Sequence, residues 1–405
     1  MTESLHTLTA MPTTRQPGCP FDPPKELIQA REHGPISRFP FPDGHQGWLV
    51  TGFDLVRSVL ADPRFSSRKE LMRHHPIIDY SEYGDIEVPP APPGEFLLMD
   101  EPQHSRYRKP LVGKFTVRRM RLLTERVEQV TAQYLDAMEK AGPSADLVTA
   151  FAKPIPAVII CELLGVPYED RGSFQDNIDK FLGGEVSDEE LIAAYTATQQ
   201  YLAELVVAKR ANPTDDVLSD LTDSDLTDEE LKGMALILLS AGFDTTANML
   251  ALGTFALLQN PEQLAALRAD PELTEPAVEE LLRYLSVAKQ FARVALEDVE
   301  LGGQTIKAGS TLILSYATAN RDPERFTDPH SLDLRRQDGG HLAFSHGIHQ
   351  CLGQQLARVE LRVALPALLN RFPTLRLAVP ADEVALRPET ADIYGVKSLP
   401  VTWDA

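Results

Sequence analysis

The run Phe344-Ser345-His346-Gly347-Ile348-His349-Gln350-Cys351-Leu352-Gly353, followed at once by a helical apolar pattern over 354–369, decides how this chain is read. An isolated buried cysteine is ordinarily a small hydrophobe. Cys351, however, stands just before a helix N-terminus, where backbone N–H groups and the macrodipole favour thiolate over thiol. Gly347 and Gly353 let the backbone turn tightly and approach a flat partner. No second cysteine or histidine lies at zinc-like spacing. A lone thiolate in such a loop suits the axial position of a metal whose other positions are already filled, and haem iron fits that description.

Working outward, the composition is that of an ordinary globular protein. With 405 residues, 43% of them hydrophobic and 24% charged, the chain is not collagen-like, coiled-coil or wholly disordered. A net charge of −20 argues against nucleic acid as a partner, since a phosphate-binding face needs a basic excess. Cys19, Cys161 and Cys351 are widely scattered, so no disulfide scaffold is expected. Residues 1–16 are polar and lack a basic stretch followed by an apolar one. They read as a flexible tail before a single catalytic domain over 17–405, placed in the cytoplasm. The apolar stretch 234–258 carries Asp244, Thr245, Thr246 and Asn248 in its middle. A bilayer span tolerates such residues poorly, so a buried helix and no membrane anchor are expected.

Proline punctuates the chain. The segment 66–102, with Pro89-Pro90-Ala91-Pro92-Pro93-Gly94, is too proline-rich for a helix, and a loop of that length in a compact domain is usually functional. Before it, 36–41 and 47–51 predict two strands across the turn Pro42-Asp43-Gly44. Apolar spacing predicts helices over 118–140, 152–164, 188–211 and 227–259. The last begins with the capping box Thr227 to Glu230 and stops at Asn260-Pro261, a length of about 48 Å at ~1.5 Å per residue. Short strands are expected at 294–301, 305–306, 311–315 and 399–402. The fold class is mainly α with small β-sheets.

Two further stretches carry chemistry only in context. Glu280 and Arg283 stand at i, i+3, which alone is a commonplace surface pair. Ala241-Gly242-Phe243-Asp244-Thr245-Thr246 lies in the middle of the apolar helix. A mid-helix threonine often bonds back to a carbonyl one turn earlier. An ionisable residue at such a place must nevertheless be hydrated, paired or functional.

Taken together these stretches resemble the cytochrome P450 superfamily, the haem-thiolate monooxygenases, and among them the soluble actinobacterial members. The cysteine-loop pattern Phe-Gly-x-Gly-x-His-x-Cys-x-Gly is matched at every fixed position except the second, where Ser345 retains a small residue. Gly47-Trp48-Leu49-Val50-Thr51, Asp100-Glu101-Pro102 and Ser398-Leu399-Pro400-Val401-Thr402-Trp403 extend the likeness over about 19–403. The resemblance implies a long central helix crossing a buried haem b (iron protoporphyrin IX), with Cys351 as the iron ligand, Phe344 beside its sulfur and Gly353 closing the loop. It implies that Ala241 and Gly242 open a groove for dioxygen and that Asp244 and Thr245 deliver protons there. Glu280 and Arg283 would be buried and locked to a downstream arginine, Arg325 in preference to Arg336. His104, Arg108, Arg293 and His349 match propionate contacts, with Ala292 where a proline is usual before that arginine.

The reaction implied is insertion of one oxygen atom from O2 into a bulky lipophilic small molecule, by hydroxylation or epoxidation. A macrolide, terpenoid, steroid or polyketide would fit. Electrons are expected from a separate ferredoxin and its reductase. The basic run Arg106, Arg108, Lys109, Lys114, Arg118, Arg119 and Arg121, with Arg358 and Arg362, is the expected steering patch for an acidic ferredoxin. Substrate is expected between the loop 86–98 (Ile86, Val88), the segment 170–194, Ile237 and Ala241, Val287 and Ala288, and Ile393 and Tyr394. The chain is expected to act as a monomer. Two alternatives stay open, a haem-binding sensor or carrier without turnover and a peroxide-driven haem enzyme.

Overall fold

The capping box at the start of the long apolar helix forms as its residues predict. The Glu230 amide donates to Thr227 Oγ1, the Thr227 amide donates to Glu230 Oε2, and a helix follows over Asp228–Gln259. It ends at Asn260, and Pro261 opens the next helix, Pro261–Ala269, where a missing N–H costs nothing. The helices Pro154–Leu163, Asp188–Ala211, Thr274–Leu285 and Gln354–Arg371 pack around it. Among the described residues it is the one helix long and apolar enough to cross a membrane, and it is the buried axis of the fold.

The computed structural model describes residues 6–404 except 17, 19, 73, 80–86, 116–122, 184–185 and 390. The helix expected over 118–140 is Thr124–Ala141, its expected first turn falling outside the described residues. The one expected over 152–164 is Pro154–Leu163, preceded by a π-helical turn over Val148–Ala152. Asp188–Ala211 matches its expected bounds.

The hairpin forms over Ile36–Pro40 and Gln46–Val50 in the register Ile36 opposite Val50. It lies at the edge of a five-stranded sheet, in the order Ile36–Pro40, Gln46–Val50, Thr311–Ser315, Gln290–Ala295, Phe65–Ser66. The strand expected over 294–301 is two, Gln290–Ala295 in this sheet and Val299–Leu301 paired with Gln304–Ile306. The C-terminal strand Pro400–Thr402 joins Ser144–Asp146 and Arg376–Leu377. The architecture is therefore mainly α with small sheets.

The expected flexible tail needs correction over its described part. Leu8 N donates to Arg38 O and Arg38 N donates to His6 O, which adds the tail to the hairpin's outer edge. Met11 is buried with Phe39, Phe41 and Leu49. Burial of Met11 against an open sheet edge outweighs the polar composition that suggested a free tail. Loop 66–102 also closes on the core. A Cβ on Gly233 would lie 2.0 Å from Pro93 O, so glycine is what lets the end of this loop cross the long helix in contact.

Candidate active site

The cysteine loop is shaped by backbone geometry. Gly347 has φ +73° and a Cβ there would lie 2.3 Å from Leu60 O, so only glycine fits. The Cys351 amide donates to Phe344 O at 2.8 Å and closes the loop just before the helix Gln354–Arg371. Burial pushes the Cys351 thiol above its ordinary range. The Gly353 and Gln354 amides and the charges of Arg108 and Arg358 pull it back toward thiolate. The helix N-terminus expected to favour thiolate is thus present, but burial outweighs it; a metal cation held by the sulfur would favour the thiolate further. The Arg358 guanidinium lies 4.5 Å from the Phe344 ring centroid, holding that ring in the loop.

Ser345 is a larger departure than residue size suggests. Its φ is +61°, the left-handed region that the pattern's glycine adopts freely and that costs another residue about 1–2 kcal/mol. A hydrogen bond at 2.8 Å between Ser345 Oγ and the buried Tyr316 hydroxyl offsets part of that cost.

The Glu280–Arg283 pair is buried as the resemblance implied, both side chains being 2% exposed. The downstream arginine is Arg336, which corrects the preference for Arg325. Arg336 Nε donates to Glu280 Oε2 at 3.0 Å. Glu280 also accepts from both forks of Arg283 and from the Asp333 amide. Arg325 turns away, donating to Gly339 O and lying over the Phe53 and Phe326 rings. Spacing alone could not separate the two, because both follow the helix by a loop of similar reach.

The four residues matched to propionates converge. His104 and His349 rings meet edge to face with centroids 4.4 Å apart. His349 is held down to about 3, by burial first and then by Arg293, His104 and Arg108. Burial likewise lowers His104, Arg108 and Arg293. Of the nearby acids, Asp100 accepts from Ser66 and Ser67, and Glu101 accepts from Ser105 while its Oε1 also lies 3.6 Å from His104 Nδ1, too far for a hydrogen bond. His104 Nε2 and His349 Nδ1 are buried without a hydrogen-bond partner among the described residues, and that distant carboxylate is what His104 Nδ1 faces. His349 Nε2 is bonded to Ser67 Oγ, Arg293 Nη1 donates to Ala292 O, and Arg108 donates to Gln350 O in the cysteine loop. Buried donors and cations of this kind are costly unless an anion answers them. The two carboxylates of a haem supply that answer beside the thiol, so the donor set fits the group.

Midway along the central helix burial is interrupted around Ala241, with Ser240 also half-buried. Ile237 and Thr245 are partly exposed and Ala241 is exposed, at i, i+4, i+8. Gly242 and Asp244 flank them. Thr245 Oγ1 donates to Ala241 O at 2.8 Å, the back-bond that mid-helix threonines often make, so its lone pairs face outward. Asp244 is drawn above the usual carboxylate range by burial. Arg387 counters this with both Asp244 oxygens at 2.8 Å, as does Asn248 at 3.0 Å. Arg387, 143 positions away, carried no signal in the sequence.

Of the expected substrate contacts, Ile86 lies outside the described residues. Val88 is half-buried, and Val287 is buried. Ala288 bridges to Ile393, and strand alternation then turns Tyr394 to the other side, where its hydroxyl donates to Pro20 O and Arg15 stacks on its ring. There Tyr394 lines a cavity of about 300 Å³ with Arg15, Lys289 and Arg387. The basic run is largely neutralised: Arg106 pairs with Glu230 and Asp225, Lys114 with Asp220, Arg358 with Glu279 and Arg362 with Glu275. Arg118, Arg119 and Arg121 lie outside the described residues.

Comparison with known proteins agrees with this site. A family model described as cytochrome P450 matches residues 187–390. Cytochrome P450 105C1 of a Streptomyces species is 50% identical over 386 residues, covering 95% of this chain and 96% of that protein. Pentalenic acid synthase of Streptomyces avermitilis is 43% identical over 394 residues, covering 95% of each. The crystal structure of CYP105P1 in complex with filipin I matches with a TM-score of 0.88 at 40% identity, covering 98% of this chain and 99% of that one. Likeness this close, running the length of the chain and through the loop whose buried donors await an anion, means that the protein belongs to the cytochrome P450 family and is a haem-thiolate monooxygenase.

Proposed function

We propose that the chain binds haem b through Cys351, with His104, Arg108, Arg293 and His349 on the propionates, and oxidises a bulky lipophilic secondary metabolite. The carrying observation is the set of buried, unanswered donors gathered beside the cysteine loop. Bound haem supplies activation of dioxygen, with the thiolate donating electron density through iron. The chain supplies position and proton control. Phe344 and Gly353 pack the loop against the cofactor, and Ala241 and Gly242 leave room over it. Thr245 accepts a proton on its free lone pairs and passes its own on by breaking the bond to Ala241 O. Asp244, on parting from Arg387, takes up a proton from solvent water and hands it to Thr245, returning to the carboxylate that pairs with Arg387.

The relatives named pentalenic acid synthase and solved with filipin I support a terpenoid or polyketide-like substrate. Val88, Ile237, Ala241, Val287, Ala288 and Ile393 form its apolar walls; Ile86 lies outside the described residues, and Tyr394 faces away. Electrons come from a ferredoxin and its reductase, and the enzyme works as a cytoplasmic monomer with 17–405 as one catalytic domain. Neutralisation of Arg106, Lys114, Arg358 and Arg362 by their acidic partners shifts the burden of ferredoxin docking onto shape and onto the remaining cations.

A haem absorbance titration against terpenoids, macrolides, polyketide lactones and steroids tests the substrate class. A low-spin to high-spin shift with terpenoids or polyketides is expected, and a shift confined to steroids would overturn that class. Cys351→Ala should abolish the thiolate-type haem spectrum; its retention would overturn the ligand assignment.

A further inference from the structure

At the tip of the edge hairpin, away from any residue used above, Asp43, His45 and His74 come together. The Asp43 carboxylate lies in an Asx turn, accepting the His45 amide at 3.1 Å. Its other oxygen meets His74 Nδ1 at 2.5 Å. His45 Nδ1 is 3.8 Å from the same carboxylate. The two imidazoles are stacked, centroids 3.8 Å apart and 26° from parallel. One ligand atom from each of the three residues lies within 4.8 Å of the others. An Asp43–His74 hydrogen bond alone does not account for the second imidazole, laid flat on the first with its nitrogen turned to the shared acid.

We propose that Asp43, His45 and His74 bind a borderline divalent transition-metal ion, with zinc as occupant, which clips the hairpin tip to the start of the loop that follows Ser66. Zinc bonds of about 2.0–2.2 Å in tetrahedral geometry place ligand atoms about 3.4 Å apart. His74 Nδ1 lies 2.5 Å from one Asp43 oxygen and His45 Nδ1 3.8 Å from the other, with one ligand atom of each residue within 4.8 Å of the others, so the three must close or part by about an ångström to reach that spacing. Two imidazoles and one carboxylate suit zinc, whereas calcium and magnesium require more oxygen donors than the tip offers. Zinc takes the place of the proton between His74 and Asp43, and water completes the fourth position. The Asx turn keeps the carboxylate aimed at the site before the ion arrives. His74 is anchored in turn by the neighbouring Phe41 ring, at 5.7 Å between centroids, and Phe41 is 2% exposed.

The test is calorimetric titration of ZnCl2 into the untagged, chelator-treated holoenzyme at neutral pH, repeated with MgCl2. One zinc site of micromolar affinity is expected, with no magnesium binding. His45→Ala and His74→Ala should each weaken zinc at least tenfold while leaving the haem spectrum unchanged. Zinc should also raise the thermal midpoint of the wild type and not that of His74→Ala. Absence of saturable zinc binding, or an affinity unchanged in either histidine variant, would overturn the proposal.

Discussion

Glu280, Arg283 and Arg336 on one hand, and His104, Arg293 and His349 on the other, are both buried polar clusters around the cysteine loop, but only the first is complete. Glu280 receives both forks of Arg283, the Arg336 Nε and the Asp333 amide, and Arg283 spends its remaining donors on Asn320, Pro329 and Ser331 carbonyls. In the second cluster His104 Nε2 and His349 Nδ1 have no hydrogen-bond partner among the described residues, His104 Nδ1 faces only the Glu101 carboxylate at 3.6 Å, and cationic groups crowd one another. A cluster that satisfies itself is scaffold. One that the chain leaves open is shaped for something the chain does not encode.

The largest test of that contrast is Arg283→Ala. Removing Arg283 from this buried network leaves Glu280 with only Arg336 and the Asp333 amide and strips the Asn320, Pro329 and Ser331 carbonyls of a donor, so urea denaturation should show a loss of about 3–5 kcal/mol. A loss below ~1 kcal/mol would put the two clusters on the same footing. Arg336→Ala should cost about 1.5–3 kcal/mol, the value of a hydrogen bond to a charged group.

Glu360 sharpens the contrast from a third position, on the helix after the cysteine loop. Its Oε2 is buried without a partner, and burial raises its carboxyl from 4.5 to about 8. The folded chain therefore holds a proton that the unfolded chain releases. That stability is fully present below the unfolded value and is lost as pH rises toward about 8. Glu360→Gln should remove this slope, a difference on the order of 4–5 kcal/mol between low pH and pH 8 by thermal unfolding. Equal pH profiles for the two proteins would show that a missing partner does not by itself mark a perturbed group.

Arg293→Ala should act in the opposite sense to Arg283→Ala. The haem-free chain loses an unanswered cation and should be no less stable, while transfer of haem to an acceptor globin should quicken about tenfold, equivalent to ~1.4 kcal/mol. A less stable haem-free chain would make Arg293 scaffold after all. The smallest effect is expected at Arg325→Ala, within ~0.5 kcal/mol by denaturation, since its contacts are exposed.

Much of this was legible before any fold was known. Thr227 and Glu230 capped the long helix where the capping box placed them, and His104, Arg108, Arg293 and His349, distant in the chain, lie near one another. The misses share a cause. Arg336 over Arg325, Arg387 on Asp244 and Tyr316 on Ser345 are long-range pairings decided by where loops return, and neither periodicity nor spacing carries that information. Ser345 was misjudged because side-chain size is visible in a sequence and φ is not. The tail over 6–16 was misjudged because polar composition does not reveal an open sheet edge that it can cover.

The sequence by itself determined the mainly α fold, the glycine-framed loop that carries Cys351 and the place of Asp244 and Thr245 on the central helix. These follow from local patterns: a cap, an apolar period, a loop with glycines at fixed places. Only the tertiary structure decided which buried charges are complete and which are left open, because a hydrogen bond between residues far apart in the chain exists only once the core has brought them into reach. That distinction separates the groups that hold the fold from those that hold its cofactor.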